Sequence, residues 1–219
     1  MTRNIESVLR NIVHSSTKKA AINEWKEASE GQEVPLYNYR MDHIEQVVQM
    51  SKHLAEGTDA NLDVIHLAAW LHDLAKPGVG GISAERHGIV SAELAEDILS
   101  QEGISVEVIE QVSDAIRKHV GLTIEKPLEP IEAQIIWEAD KILKLGMIGL
   151  LQYVLNGVRF NPGRSLKDIA DDLSKFLSLA ERIAQCMVTN RGRELARHRL
   201  ETLTSVVRNL EGELNLSDT

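Results

Sequence analysis

Residues 64–71 read Val64-Ile65-His66-Leu67-Ala68-Ala69-Trp70-Leu71 and run almost wholly apolar into an ionisable doublet, His72-Asp73. A helix that is apolar on most sides is buried from all directions. The chain must therefore be built around this segment. An ionisable pair buried at its end is costly unless something compensates the charge. A metal ion is the most economical compensation, because imidazole nitrogen and carboxylate oxygen together suit borderline divalent ions. Taken alone, the doublet is better read as a buried, hydrogen-bonded pair. The rest of the chain changes that reading.

His43 lies upstream of the doublet, and His87, His119 and Asp140 lie downstream, each on or beside its own amphipathic segment. Apolar spacing predicts helices over 5–28, 40–55, 62–75, 83–101, 105–119, 131–145, 148–157, 166–188 and 191–214. Ser83 and Ser105 are expected as helix caps, and Gly57 and Gly121 as stops. Residues 29–39, with Gly31 and Pro35, and residues 123–130, with Pro127 and Pro130, read as connectors. The loop Lys76-Pro77-Gly78-Val79-Gly80-Gly81 is not a Walker-type loop, since it lacks a Gly-Lys-Ser/Thr ending and follows a helix.

No segment alternates at period two, and aromatics are only 4% of the chain, so the core is Leu, Ile, Val and Ala. The expectation is an all-α, single-domain helical bundle with a metal site at its centre. Residues 40–200 form the core domain, residues 1–39 a helix and loop packed on it, and residues 201–219 the end of the last helix and a tail. The first helix and the last two wrap the metal-bearing bundle.

The formal net charge of -9 and sequence pI of about 5.4 speak against a nucleic-acid-coating role. A small phosphorylated partner stays compatible, because a bound divalent ion makes the local charge positive. The one cysteine, Cys186, sits among apolar neighbours and permits no intramolecular disulfide, which fits a reducing cytoplasm. The polar N-terminus has no signal-peptide core, and no stretch approaches the roughly 20 apolar residues of a membrane span. A cytoplasmic location is expected.

His43, His72, Asp73 and Asp140 would supply four protein ligands and leave open positions, the mark of a catalytic site. Adding His87 and His119 to the same ion would leave no room for substrate. Two ions sharing Asp73 as a bridge resolve this: His43, His72 and Asp140 hold one, and His87 and His119 the other. The alternative makes His87 and His119 phosphate-binding or structural histidines beside a single ion. A water bridging two ions is acidified enough to exist as hydroxide near neutral pH and to attack phosphorus. Lys76, one turn beyond His72, can hold a substrate phosphate as a point charge; the alternative is a cation favoured at a helix C-terminus. Asp73 and Lys76 are the candidate catalytic residues. His14, His53, His66 and His198 are assigned no role. Asp168, Asp171 and Asp172 read as a solvated face, and Arg159 and Arg164 as exposed loop arginines.

The ordered series His…His-Asp…His…His…Asp resembles the HD-domain superfamily of metal-dependent phosphohydrolases. His72-Asp73-Leu74-Ala75-Lys76 matches its core motif. Arg86-His87-Gly88 before Ala92, and Ala115-Ile116-Arg117-Lys118-His119, resemble its two middle histidine motifs. Glu138-Ala139-Asp140-Lys141-Ile142 resembles its terminal Asp motif. Leu145-Gly146-Met147-Ile148-Gly149 and Asn190-Arg191-Gly192-Arg193-Glu194-Leu195-Ala196 are similar to a bacterial and archaeal branch of small stand-alone HD hydrolases. The resemblance covers about Arg40 to Leu200. No acid follows the doublet within residues 74–79, which disfavours the one-metal 5′-nucleotidase subtype. His119 is followed by Val120, and no Gly-Tyr-Pro appears, which disfavours cyclic-di-nucleotide hydrolases.

What the resemblance implies is hydrolysis of a phosphomonoester, phosphodiester or pyrophosphate bond in a nucleotide or other small phosphorylated metabolite. Metal-bound hydroxide would be the nucleophile, and the ions would be drawn from Mn, Fe, Ni, Co, Mg and Zn. Two rivals share the pattern: a di-iron oxygenase on the same fold and six ligands, and a nucleotide-sensing module without turnover.

Overall fold

The computed structural model describes residues 3–26, 37–75, 81–161 and 163–216. Among them are nine helices and no strand, so the all-α expectation holds. The chain divides into two compact units, Met1–Gly121 with Pro127–Asp140, and Leu122–Lys126 with Lys141–Thr219. That division falls inside the 40–200 segment.

The first unit holds α1 (Arg3–Glu24), α2 (Tyr39–Ala55), α3 (Leu62–Leu71), α4 (His87–Gln101), α5 (Val106–Lys118) and most of α6 (Ile131–Ile142). The apolar run forms α3, which touches α1, α2, α4 and α5. Its residues Val64, Ile65, Leu67, Ala68, Ala69, Trp70 and Leu71 are all buried, as its composition requires. Asn61 starts it, the side chain accepting from the amides of Asp63 and Val64.

The helix stops at Leu71 rather than at Ala75. His72 is its C-terminal cap residue, Leu74 N–H turns back to Leu71 O at 3.3 Å, and Ala75 N–H goes to Ser91 on α4. The doublet therefore sits on a turn, where adjacent side chains can face one point.

Other ends also shift. The first helix stops at Glu24, and Ala28 lies outside the described residues. Ser83 does not cap α4 through its side chain. Its carbonyl instead accepts from the amides of Arg86 and His87, each at 3.2 Å, and His87 becomes the first helical residue. Ser105 occupies the N-cap position of α5 without a side-chain cap bond. Gly121 does end the α5 region, with φ +95. A second helix, α6, is buried along its length from Ala133 to Ile142. Gln134, Glu138, Asp140 and Lys141 hide this in an apolar-pattern reading.

The second unit holds α7 (Gly146–Phe160), α8 (Leu166–Gln185) and α9 (Asn190–Asn215), with α9 against both α7 and α8. So α1 packs on α2 and α3, while α8 and α9 group with α7. The start of α7 lies two residues earlier than its glycines suggest. A Cβ on Gly149 would fall 2.2 Å from Lys144 O, so that glycine serves close packing. Cys186 is the residue at which α8 ends, three short of Thr189, the N-cap of α9. Asp168 is part of a capping box with Ser165, and Asp172 pairs with Arg164 at 2.6 Å. These two acids and Arg164 thus have specific partners, beyond the solvated-face reading.

Candidate metal centre

All six predicted ligands fall in the first unit, and the structure brings them together. His43 comes from α2, His72 and Asp73 from the turn after α3, His87 from the start of α4, His119 from the end of α5, and Asp140 from α6. His43, His72, Asp73, His119 and Asp140 are buried, and the His87 side chain keeps 13% of its exposure.

The Asp73 carboxylate divides the group. Its Oδ2 lies 3.7 Å from His43 Nε2 and 3.4 Å from His72 Nε2. Its Oδ1 lies 3.7 Å from His87 Nε2 and 3.8 Å from His119 Nε2. Two trios result, His43–His72–Asp73 and Asp73–His87–His119, the donor atoms of each lying within 4.8 Å of one another. Asp140 belongs to neither trio but joins the first through His43, with Oδ1 at 3.2 Å from its Nε2. We call the first trio with Asp140 the inner half-site and the second the outer.

Three of the four imidazoles are oriented in one way. His72 Nδ1 donates to Ala69 O at 2.8 Å, His87 Nδ1 to Ala84 O at 2.6 Å, and His119 Nδ1 to Ile116 O at 2.5 Å. A carbonyl can only accept, so Nδ1 carries a proton, and in the neutral ring Nε2 presents its lone pair to the site. This is the usual support for a ligating histidine.

A consequence tests whether the residues fit a metal. His87 Nε2 and His119 Nε2 stand 3.2 Å apart. When both rings are neutral, two lone pairs face each other, an arrangement that a cation between them would satisfy. Together with the shared carboxylate, this donor set fits divalent ions. The fourth imidazole, His43, stacks on Tyr39 with ring centroids 5.9 Å apart.

Three supporting residues escaped the sequence reading. Ser91 Oγ accepts from Ala75 N–H at 3.0 Å and donates to Ala75 O at 3.3 Å, both inside the core. Gly88 lets α4 approach the end of α5, since a Cβ there would fall 2.5 Å from Val120 Cγ2 and 3.1 Å from Ile116 O. Tyr39 is the third. Gly88 stands in the Arg86-His87-Gly88 motif, but its packing against α5 leaves no mark there, and a serine among small helix residues and a tyrosine four residues before His43 carry no pattern at all. Lys76 lies outside the described residues.

A family model, the HD domain, matches residues 40–145. The chain is similar to a solved HD-superfamily hydrolase from Bacillus thuringiensis, at 18% identity and TM-score 0.62, covering 94% of this chain and 98% of that one. It is similar also to YpgQ from Bacillus subtilis, solved in complex with ADP, at 23% identity and TM-score 0.62, covering 79% and 88%. These two likenesses show the fold. A curated tRNA (cytidine(56)-2'-O)-methyltransferase from Thermoplasma volcanium is 29% identical over 157 residues, 64% of this chain. The match spans only 42% of that protein.

Proposed function

This chain carries an HD domain and belongs through it to the HD-domain superfamily, and from that premise we propose that it is a two-metal phosphohydrolase acting on a nucleotide or other small phosphorylated metabolite. The observation that carries the proposal is the division of Asp73, one carboxylate oxygen towards each histidine pair. A carboxylate so placed is the bridge that a paired site needs. The nucleotide reading draws on the ADP complex of YpgQ. The methyltransferase name stays with the Thermoplasma protein, of which the match covers 42%.

Two bound divalent ions would supply Lewis acidity towards phosphoryl oxygens and lower the pKa of water between them. The chain's own residues do the rest. Asp73 fixes the spacing of the half-sites. His72, His87 and His119, held by their Nδ1 bonds, keep Nε2 turned to the site and need no rotation when a substrate arrives. Burial of His43, Asp73 and Asp140 keeps bulk water from the inner half-site and strengthens every interaction there. Lys76 is assigned to the substrate phosphate on its sequence position alone.

The test is elemental analysis of freshly purified protein beside a His87→Ala variant, together with phosphate release from a nucleotide panel. Two ions per chain falling to one in the variant, with phosphate released only by the doubly loaded protein, is the expected result. One ion in both proteins would return the site to a single-metal hydrolase. Iron with oxygen uptake and no phosphate release would replace the proposal with the oxygenase reading.

A further inference from the structure

The outer half-site is a triangle of Asp73, His87 and His119, and its three corners come from three chain segments. Close packing at Gly88 holds one side of it, that between His87 and His119. The side between His87 and Asp73 needs its own support, because Asp73 lies on a turn that has left α3.

We propose that Ser91 is the positioning residue that sets this second side and so the spacing of the two ions; the inference rests on the two-ion reading. Ser91 lies one helical turn beyond His87 on α4, so both project from one face of the helix. Its hydroxyl closes a reciprocal pair with the backbone of Ala75, two residues after Asp73. A hydroxyl has one proton and two lone pairs, and this one uses both functions on the same residue. Ser91 is fully buried and Ala75 nearly so, which leaves water no access to replace either bond. One short helix therefore presents an outer ligand and, a turn later, grips the turn that carries the bridge. The inner ligands His43 and Asp140 come from other helices and are not held through this clamp.

The role predicts a split. Removing the hydroxyl frees the turn relative to α4, so Asp73 Oδ1 and His87 Nε2 lose their fixed separation, while His43, His72 and Asp140 keep theirs. The experiment is titration of the metal-free full chain with manganese(II), followed by electron paramagnetic resonance, for wild type, Ser91→Ala and Ser91→Thr. Thermal unfolding of the metal-free proteins runs alongside.

The expected result is two stepwise constants in wild type. In Ser91→Ala only the weaker should change, by about 10–100-fold, and Ser91→Thr should restore most of it. If Ser91→Ala does not fold, Ser91→Cys takes its place, with its weak donor and similar volume. Unchanged constants in Ser91→Ala, or in Ser91→Cys where that takes its place, or equal weakening of both ions, would overturn the role of Ser91 and leave the two-ion reading standing. Fewer than two ions in the wild-type chain would overturn that reading, and this inference with it.

Discussion

His43 and Asp140 lie within α2 and α6, whereas His87 is the first residue of α4 and His119 the residue at which α5 ends. To the doublet at the end of α3, the inner half-site thus adds two side chains from within packed helices, and the outer one adds two from where helices start and stop. Exposure sets His87 alone apart. The inner side chains keep no more than 8% of theirs and His119 keeps 1%, whereas His87 keeps 13%. Core packing is rigid and slow to yield, while helix ends fray first. Of the six side chains, His87 is the one that meets solvent, and it stands at a helix start.

The largest effect should come from the group that both halves share. Asp73→Asn is expected to abolish binding of both ions and to lower turnover roughly 10³-fold or more, since metal ions contribute several kcal/mol to the transition state. Metal content and initial rates check this. A variant that keeps one ion at full affinity would show that the halves are independent.

Gly88→Ala should act on the outer half alone. The added methyl meets Val120 and the carbonyl of Ile116. It should cost about 1–3 kcal/mol of stability and loosen the outer ion about tenfold. Thermal unfolding and metal titration read the two effects. Loss of the inner ion first would reverse the comparison.

The smallest effect concerns His66 on α3, which is remote from both halves in sequence role. Burial, the largest influence, holds its pKa below the ordinary 6.5, and Glu6 opposes the shift. The folded chain then binds fewer protons than the unfolded one near this residue. Its contribution to stability is complete above 6.5 and is lost as the pH falls towards the folded value. Unfolding midpoints measured from about pH 5 to pH 8 should fall on the acid side, and less so in His66→Gln. An unchanged slope in the variant would remove His66 from the account, and the metal content at neutral pH should not move.

The residues that reveal the fold to a sequence reader are those whose pattern extends over several turns. The run from Val64 to Leu71 predicts a buried helix, and α3 is one. The six candidate ligands stand out in the sequence because His and Asp in series are unusual in apolar surroundings. What escaped was local and relational. The turn after Leu71 is bonded at Ala75 to Ser91, sixteen positions further along the chain. Ser83 looked like a cap by its hydroxyl and acts by its carbonyl. The buried course of α6 is disguised by Gln134 and Glu138, which bond to each other at 3.0 Å in the interior. Pairwise solutions of this kind leave no periodic trace.

The carbonyls of Ala69, Ala84 and Ile116, which aim three of the four imidazoles, belong to the main chain. Any amino acid at those positions would offer the same oxygen. A survey that replaces side chains one at a time would therefore read core packing at Ala69 and Ile116, both buried, and miss the oxygens that set the direction of each imidazole. Only a change that moves the backbone itself, such as a proline or an ester in place of the amide, would make this layer of the site visible.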